Sequence, residues 1–375
     1  MIIWAAGYNR QPRFFYSLVT TAIMCTRLRL QIVLLLTLLG CQQKPSGHQE
    51  LSAEAASNRP EAPRKASPSQ PTTYLALTYD LRGFEENRAN GLIELLTKRL
   101  DPHGIERIRI RLNESKQVEI LVPGDPTSSQ LAHIKYRVCQ PGHLEFRIIA
   151  NLQRHGPLLG LVAMTPSSTE LFQEEANGTR KLVGKWIQIA RGPADSNGLK
   201  AFKYIPHGDV VRDAVTGQRL SLEDFQPETT HPGLDLARYL HKRKISNIEI
   251  LVFTGDGYHL TSELINSATS LATDGQSAID LHFTPAGATE LARLTASNAP
   301  PHFPGDTSRL AIILDDHVLG APRIVEEIRT PHALITGDFD ADEVENLAAI
   351  LRSGALAKQL ELVFHEQRSV TLTAP

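Results

Sequence analysis

Cys41 is the residue whose type and neighbours most directly specify chemistry. It closes the run Leu38-Leu39-Gly40-Cys41, which follows an apolar stretch over residues 30–39 and the basic pair Arg27 and Arg29. This is the layout of a bacterial lipobox: a basic n-region, an apolar h-region, and a cysteine whose thiol takes a diacylglyceryl group before the chain is cut in front of it. A spanning helix needs roughly 20 apolar residues, more than this run supplies. Lipidation of Cys41 is therefore expected, the alternative being a short uncleaved anchor, and Met24 is a candidate start. Either arrangement tethers the chain to a membrane, facing the periplasm. Two or three acyl chains hold firmly where one binds only marginally.

Little else in the chain is arranged for chemistry. Fourteen histidines are scattered without ligand spacing, and three cysteines, Cys25, Cys41 and Cys139, cannot build a disulfide framework. Cys139, beside Val138 at a helix end, reads as a small buried hydrophobe. Asp315-Asp316 and the series Asp338, Asp340, Asp342 can hold a divalent cation weakly, but turn and capping roles account for them. No nucleophile elbow, zinc-protease helix, P-loop or dinucleotide fingerprint is present in the sequence. No enzyme, cofactor or metal site is expected. A formal net charge of −2 argues against a nucleic-acid partner. The arginine row Arg107, Arg109, Arg111, with Glu106, Glu114 and Glu119 close by, reads as the solvated face of a sheet.

The elements that would position any site follow from periodicity. Between residues 42 and 72 the chain is Ser, Pro, Gln, Ala and Glu with almost no large apolar residue, a flexible tether. At 73–151 the pattern predicts strand 74–79, helix 91–100, strands over Ile108-Ile110-Leu112 and Val118-Ile120-Val122, helix Ser128–Cys139 and a last strand over Leu144-Phe146-Ile148. That order, βαββαβ, is the split βαβ of ferredoxin-like domains. Residues 156–275 are less legible: a strand at 186–189, a turn at 195–198, a helix at 235–244, strands 248–253 and 258–260 flanking a Thr254-Gly255-Asp256-Gly257 hairpin turn, and a helix at 264–271. From 279 the pattern sharpens. Ile279, Leu281 and Phe283 alternate as a strand, and Thr284-Pro285 opens a helix to about residue 297. Apolar residues 310–314 turn at Asp315-Asp316 and return over 318–321, and 333–336 is a further short strand. Asp340 to Glu343 has capping-box spacing ahead of a helix that Gly354 ends.

These segments resemble the periplasmic P1 domain of the Sec translocon accessory protein SecD and its fused form SecDF. Head-like features run in order: Phe283-Thr284, Gly287-Ala288, Leu294-Thr295 with Asn298, residues Leu310–Leu314 with Asp315, Ala321-Pro322, Ile335-Thr336-Gly337, Leu347, and Leu351-Arg352-Ser353-Gly354-Ala355-Leu356. Base-like features are Lys98-Arg99-Leu100-Asp101-Pro102-His103-Gly104-Ile105, the stretch Val118–Pro123 with Gly124, and Leu144-Glu145-Phe146-Arg147. The resemblance implies an α+β chain divided into a signal at 1–40, a tether at 41–72, a ferredoxin-like base at 73–155, a mixed α+β head at 156–357, and a C-terminal strand or tail at 358–375.

It also implies a function. SecD acts late in preprotein translocation, its P1 domain meeting the emerging polypeptide while membrane helices couple movement to the proton gradient. The expectation is a lipid-anchored P1-like protein that binds exported or unfolded polypeptide, or a SecDF or SecYEG partner. No intramembrane acidic or basic residues are seen here, so no proton-coupled activity of its own is expected. Polypeptide capture is assigned to the loop at 298–304, with Pro300, Pro301 and Phe303, which is long for a tight connection; a tolerated surface insertion explains it equally. A second reading is an envelope scaffold lipoprotein that uses the P1 fold for partner docking and has no role in secretion.

Overall fold

The computed structural model describes residues 3–4, 72–81, 89–273, 276–300, 308–337 and 339–370. Cys25, Cys41, the tether up to residue 71, Pro301, Phe303 and Asp338 lie outside the described residues.

The first layer is a four-stranded antiparallel sheet in the order Glu361–Val370, Thr72–Asp80, Val118–Pro123, Arg109–Leu112. Helices α1 (Ala89–Leu100) and α2 (Ser128–Cys139) belong to it. In α1, Leu92, Leu96 and Leu100 recur every four residues, which puts them on one face. They meet Leu77, Tyr79, Val118 and Ile120 in a common core. A capping box starts α2: the Thr127 hydroxyl accepts from the Gln130 N–H while the Gln130 side chain accepts from the Thr127 N–H. One expectation is corrected. The strand Leu144–Ile149 does not close this sheet; the C-terminal strand Glu361–Val370 takes the place beside Thr72–Asp80. Its alternation, Leu144, Phe146 and Ile148 inward, serves any half-buried strand and does not specify a sheet.

Leu144–Ile149 instead enters a nine-stranded sheet, between Ile248–Phe253 and Leu310–Leu314. Arg180–Ile189 pairs with both Ile248–Phe253 and His317–Gly320, so the pairing closes a ring of five strands. Helix α3 (Gly156–Met164) buries Leu158 and Val162 against Trp186 and Leu251. Helix α4 (Pro232–Lys242) buries Leu236 and Leu240 against Ile187, Ile189 and Ile250. The hairpin expected around Gly255-Asp256 does not form. The chain turns there, but Leu260–Thr261 pairs with Leu144–Ile149 rather than with Ile248–Phe253.

The third layer is a small antiparallel sheet ordered His332–Thr336, Gln276–Phe283, Ile265–Thr273, with Ile3–Trp4 at the edge beside His332–Thr336. Ile265–Thr273 replaces the helix expected at 264–271. Its Leu264, Ile265, Ala268 and Leu271 have helical spacing, yet pairing with Gln276–Phe283 along nearly its whole length overrides that local preference. Ala268, Ile279, Leu281, Phe283, Ala333 and Ile335 form one face. It packs on helix α5 (Pro285–Asn298), through Leu291 and Leu294, and on helix α6 (Ala341–Ser353), through Val344, Leu347 and Leu351. Both caps read from the sequence are made: the Thr284 hydroxyl accepts from the Gly287 N–H, and the Asp340 carboxylate from the Glu343 N–H. Among the described residues, no helix is long and apolar enough to cross a membrane.

Candidate functional site

The layers meet where the C-terminal ends of α2 and α6 converge. Such ends carry unpaired carbonyls and partial negative charge, which a cation can satisfy. Arg99 of α1 does so while fully buried. Its Nε donates to Ser353 Oγ at 2.8 Å, its Nη1 to the carbonyls of Arg137 and Gln140 at 3.0 and 2.6 Å, and its Nη2 to those of Pro141 and Gly354 at 3.3 and 2.6 Å. Burial pulls the guanidinium down to about 10, with the charge of Asp315 acting the other way. Asp315 fixes the next residues of the same joint: its carboxylate accepts from the N–H groups of Gly142 at 2.9 Å and His143 at 2.8 Å. The Leu356 N–H donates to the Pro141 carbonyl at 2.7 Å.

Two grooves flank this joint. The larger, about 870 Å³, lies between the loop after α1, the edge of α2 and the outer face of α6. Its apolar lining includes Leu100, Ile105, Ile108, Val122 and Ile134; its rim is charged, with Asp342, Glu345, Arg137 and Arg352, while the Asp101 carboxylate is buried and accepts from the Glu106 and Ile108 N–H groups. Ile105 is 74% exposed, a large aliphatic side chain held open to solvent. One end is bridged by Arg137, which donates to Asn346 Oδ1 at 2.6 Å and to Glu345 at 2.9 Å. The groove's surface is more polar than apolar, with Ile105, Ile108 and Ile134 as its accessible aliphatic side chains; an extended peptide can use both, apolar contacts to bury and charges to set its register. The smaller groove, about 570 Å³, runs between α2 and the large sheet. Lys203 there pairs with Glu343 at 2.7 Å, and the Arg191 guanidinium, pulled down to about 10 by burial, stacks on Phe202.

The structure separates the residues that the sequence brought forward. Pro300 is exposed immediately after Ala299, which ends α5, and lines neither groove. Pro301, Phe303 and Cys41 lie outside the described residues. Asp315 and Asp316 are the two left-handed residues of a tight turn, with φ of 48° and 60°, and Asp316 pairs with Lys185. Arg111 of the arginine row pairs with Glu119 at 2.6 Å. Cys139 is half-buried, and burial pushes its thiol up, away from reactivity. One group escaped sequence reasoning: Asp280, His282 and His332, whose ligand atoms all lie within 4.8 Å of one another. The Asp-x-His alternation on a strand was its only local signal; His332 joins through strand pairing.

Residues 240–358 match the family model described as the SecDF P1 head subdomain. Over that span the chain is similar to a SecDF P1 head. The matched span takes in α5, α6, Asp315 and the small sheet apart from Ile3–Trp4, so the α6 side of the joint lies within it. Among curated proteins, the chain is similar to protein translocase subunit SecD of Acidaminococcus fermentans, 39% identical over 127 residues, covering 34% of this chain and 28% of that one. SecD of Calditerrivibrio nitroreducens is 29% identical over 192 residues, covering 51% and 32%. SecD of Desulfurispirillum indicum is 23% identical over 296 residues, covering 78% and 42%. The matches thus cover less than half the length of each relative. A solved structure of SecDF, described as a membrane component that enhances protein export, is 20% identical over 79% of this chain and 100% of that one, with a TM-score of 0.43.

Proposed function

We propose that this chain acts in Sec-dependent protein translocation, as a membrane-tethered periplasmic P1 protein that binds exported or unfolded polypeptide at the larger groove of the base–head joint. The observation that carries the proposal is the P1 head match over residues 240–358. The groove supports the binding step because it combines an exposed aliphatic residue, Ile105, with the accessible Ile108 and Ile134 and charges of both signs at the rim. Its volume falls in the range of roughly 300–1,000 Å³ usual for ligand sites. The proposal includes lipidation at Cys41 and docking on a SecYEG or SecDF partner. It assigns binding to these residues, and neither catalysis nor a proton-coupled step.

A photo-crosslinking amino acid placed at Ile105, with a second at Val215, which is equally exposed but away from the groove, tests it in cells. Products identified by mass spectrometry should contain exported chains or Sec components at Ile105 and few at Val215. Recovery of envelope or cell-wall proteins alone would replace translocation with the scaffold reading.

A further inference from the structure

We propose that Asp280, His282 and His332 form a divalent transition-metal site, with zinc the ion whose ligand preferences they fit. The three residues come together through two periodicities. Asp280 and His282 are two apart on Gln276–Phe283 and so share a face, and the strand register sets His282 directly opposite His332. That face is the reverse of the one carrying Ile279 and Leu281, so the cluster projects away from the apolar core. All three side chains are partly open to solvent, which leaves room for an ion and for a water completing its coordination.

The polar accounting favours an ion over a simple hydrogen-bonded cluster. His282 Nε2 lies 3.0 Å from Asp280 Oδ2, a normal hydrogen bond. The other carboxylate oxygen, Oδ1, is buried and has no hydrogen-bond partner among the described residues. The nearest candidate, His332 Nδ1, stands 4.0 Å away, too far to donate. A buried carboxylate oxygen without a partner is costly, and a cation between it and the two imidazoles removes that cost. Two imidazoles and one carboxylate are the donor set of open zinc sites, with bonds of roughly 2.0–2.2 Å and a fourth position for water. Ligand atoms around such a tetrahedral centre stand about 3.4 Å apart, and one ligand atom from each of the three residues here lies within 4.8 Å of the others. Small rotations of the side chains therefore suffice. Bound there, the ion straps His332–Thr336 to Gln276–Phe283 with its nearest ligand, His282, two residues before the α5 cap Thr284; between them the Phe283 N–H already donates to the Pro331 carbonyl at 2.8 Å.

Titration of the purified full chain with Co²⁺, followed by visible absorption, and with Zn²⁺, followed by thermal unfolding, tests the site. One equivalent of Co²⁺ should develop the d–d bands of a four- or five-coordinate N/O site, and Zn²⁺ should raise the melting temperature. Asp280→Asn, His282→Ala and His332→Ala should each weaken binding at least about tenfold, while His365→Ala, exposed on the C-terminal strand, should not. Asp280→Asn preserves shape, so its circular dichroism separates lost ligation from lost folding. Absence of saturable binding, or one-equivalent binding retained by the His282→Ala/His332→Ala double variant, overturns the proposal.

Discussion

Arg99 Nη2 donates to the Gly354 carbonyl at 2.6 Å, across 255 positions of sequence. Arg99 belongs to α1 in the four-stranded layer; Gly354 is the C-cap of α6, which packs on the small sheet. One guanidinium thus ties together the ends of α2 and α6, using its planar fork of donors as no other side chain can. Both flanking grooves take lining residues from α2 and α6, so their width depends on this connection.

Arg99→Met should destabilise the protein by about 3–5 kcal/mol, because several buried carbonyls lose their donor at about 1–3 kcal/mol each, partly relieved by entering water. Arg99→Lys should recover less than half of the loss, since a single ammonium cannot reach acceptors on both helix ends. Urea unfolding measures both. A loss below about 1 kcal/mol for Arg99→Met would mean that the two helix ends are held by packing alone.

Gly142 and Gly178 make a matched pair. Both adopt left-handed backbone, with φ of 87° and 82°. A Cβ on Gly178 meets nothing within 4 Å, whereas on Gly142 it would stand 2.5 Å from Ile350 Cγ2 and 3.3 Å from Arg99 Nη2. Gly178→Ala should therefore cost only the conformational strain of about 1–2 kcal/mol. Gly142→Ala adds overpacking and should cost about 2–4 kcal/mol. Equal losses in denaturant titrations would show that Ile350 gives way freely.

What was legible in the sequence was local. Leu92, Leu96 and Leu100, the Thr284 and Asp340 caps, and the Asp315-Asp316 turn each follow from spacing within one element, and each appears where spacing puts it. What failed depended on partners far along the chain. Leu144–Ile149 was recognisable as a strand, but its sheet is decided by Leu310–Leu314 and Ile248–Phe253, more than a hundred residues away. Ile265–Thr273 carries helical spacing that the pairing with Gln276–Phe283 overrules. Arg99 was noted only within a motif, because its acceptors come from residues 137–141 and 353–354. His332 meets His282 only through the register of two strands.

Asp235 gives the protein a component of acid sensitivity. Burial alone would push its carboxyl up, but it accepts from the Thr229 N–H at 2.7 Å, the Thr229 hydroxyl at 2.9 Å and the Glu228 N–H at 2.9 Å, with Arg238 nearby. These contacts outweigh burial and hold it below its ordinary value. A carboxyl depressed on folding contributes stability above its unfolded pKa of roughly 4, and that stability is lost as pH falls through the folded value. Asp235→Asn should thus be less stable than the parent at neutral pH, with the gap closing as pH drops below about 4. Unfolding curves at a series of pH values check this; a pH-independent gap would assign the effect to packing.

Ile105 separates binding from folding. A side chain 74% exposed contributes little to stability, so Ile105→Asp should shift unfolding by no more than about 0.5 kcal/mol. If the larger groove captures polypeptide through its aliphatic side chains, the same substitution places a charge at the contact and should weaken binding of a permanently unfolded, apolar-rich polypeptide at least about fivefold. Fluorescence anisotropy of the labelled polypeptide reads the affinity, and Phe303→Ala in parallel tests the proline-bearing loop. Weakening by Ile105→Asp alone locates capture in the groove. Weakening by Phe303→Ala alone moves it to the proline-bearing segment 298–304, while unchanged binding in both variants removes each from the mechanism.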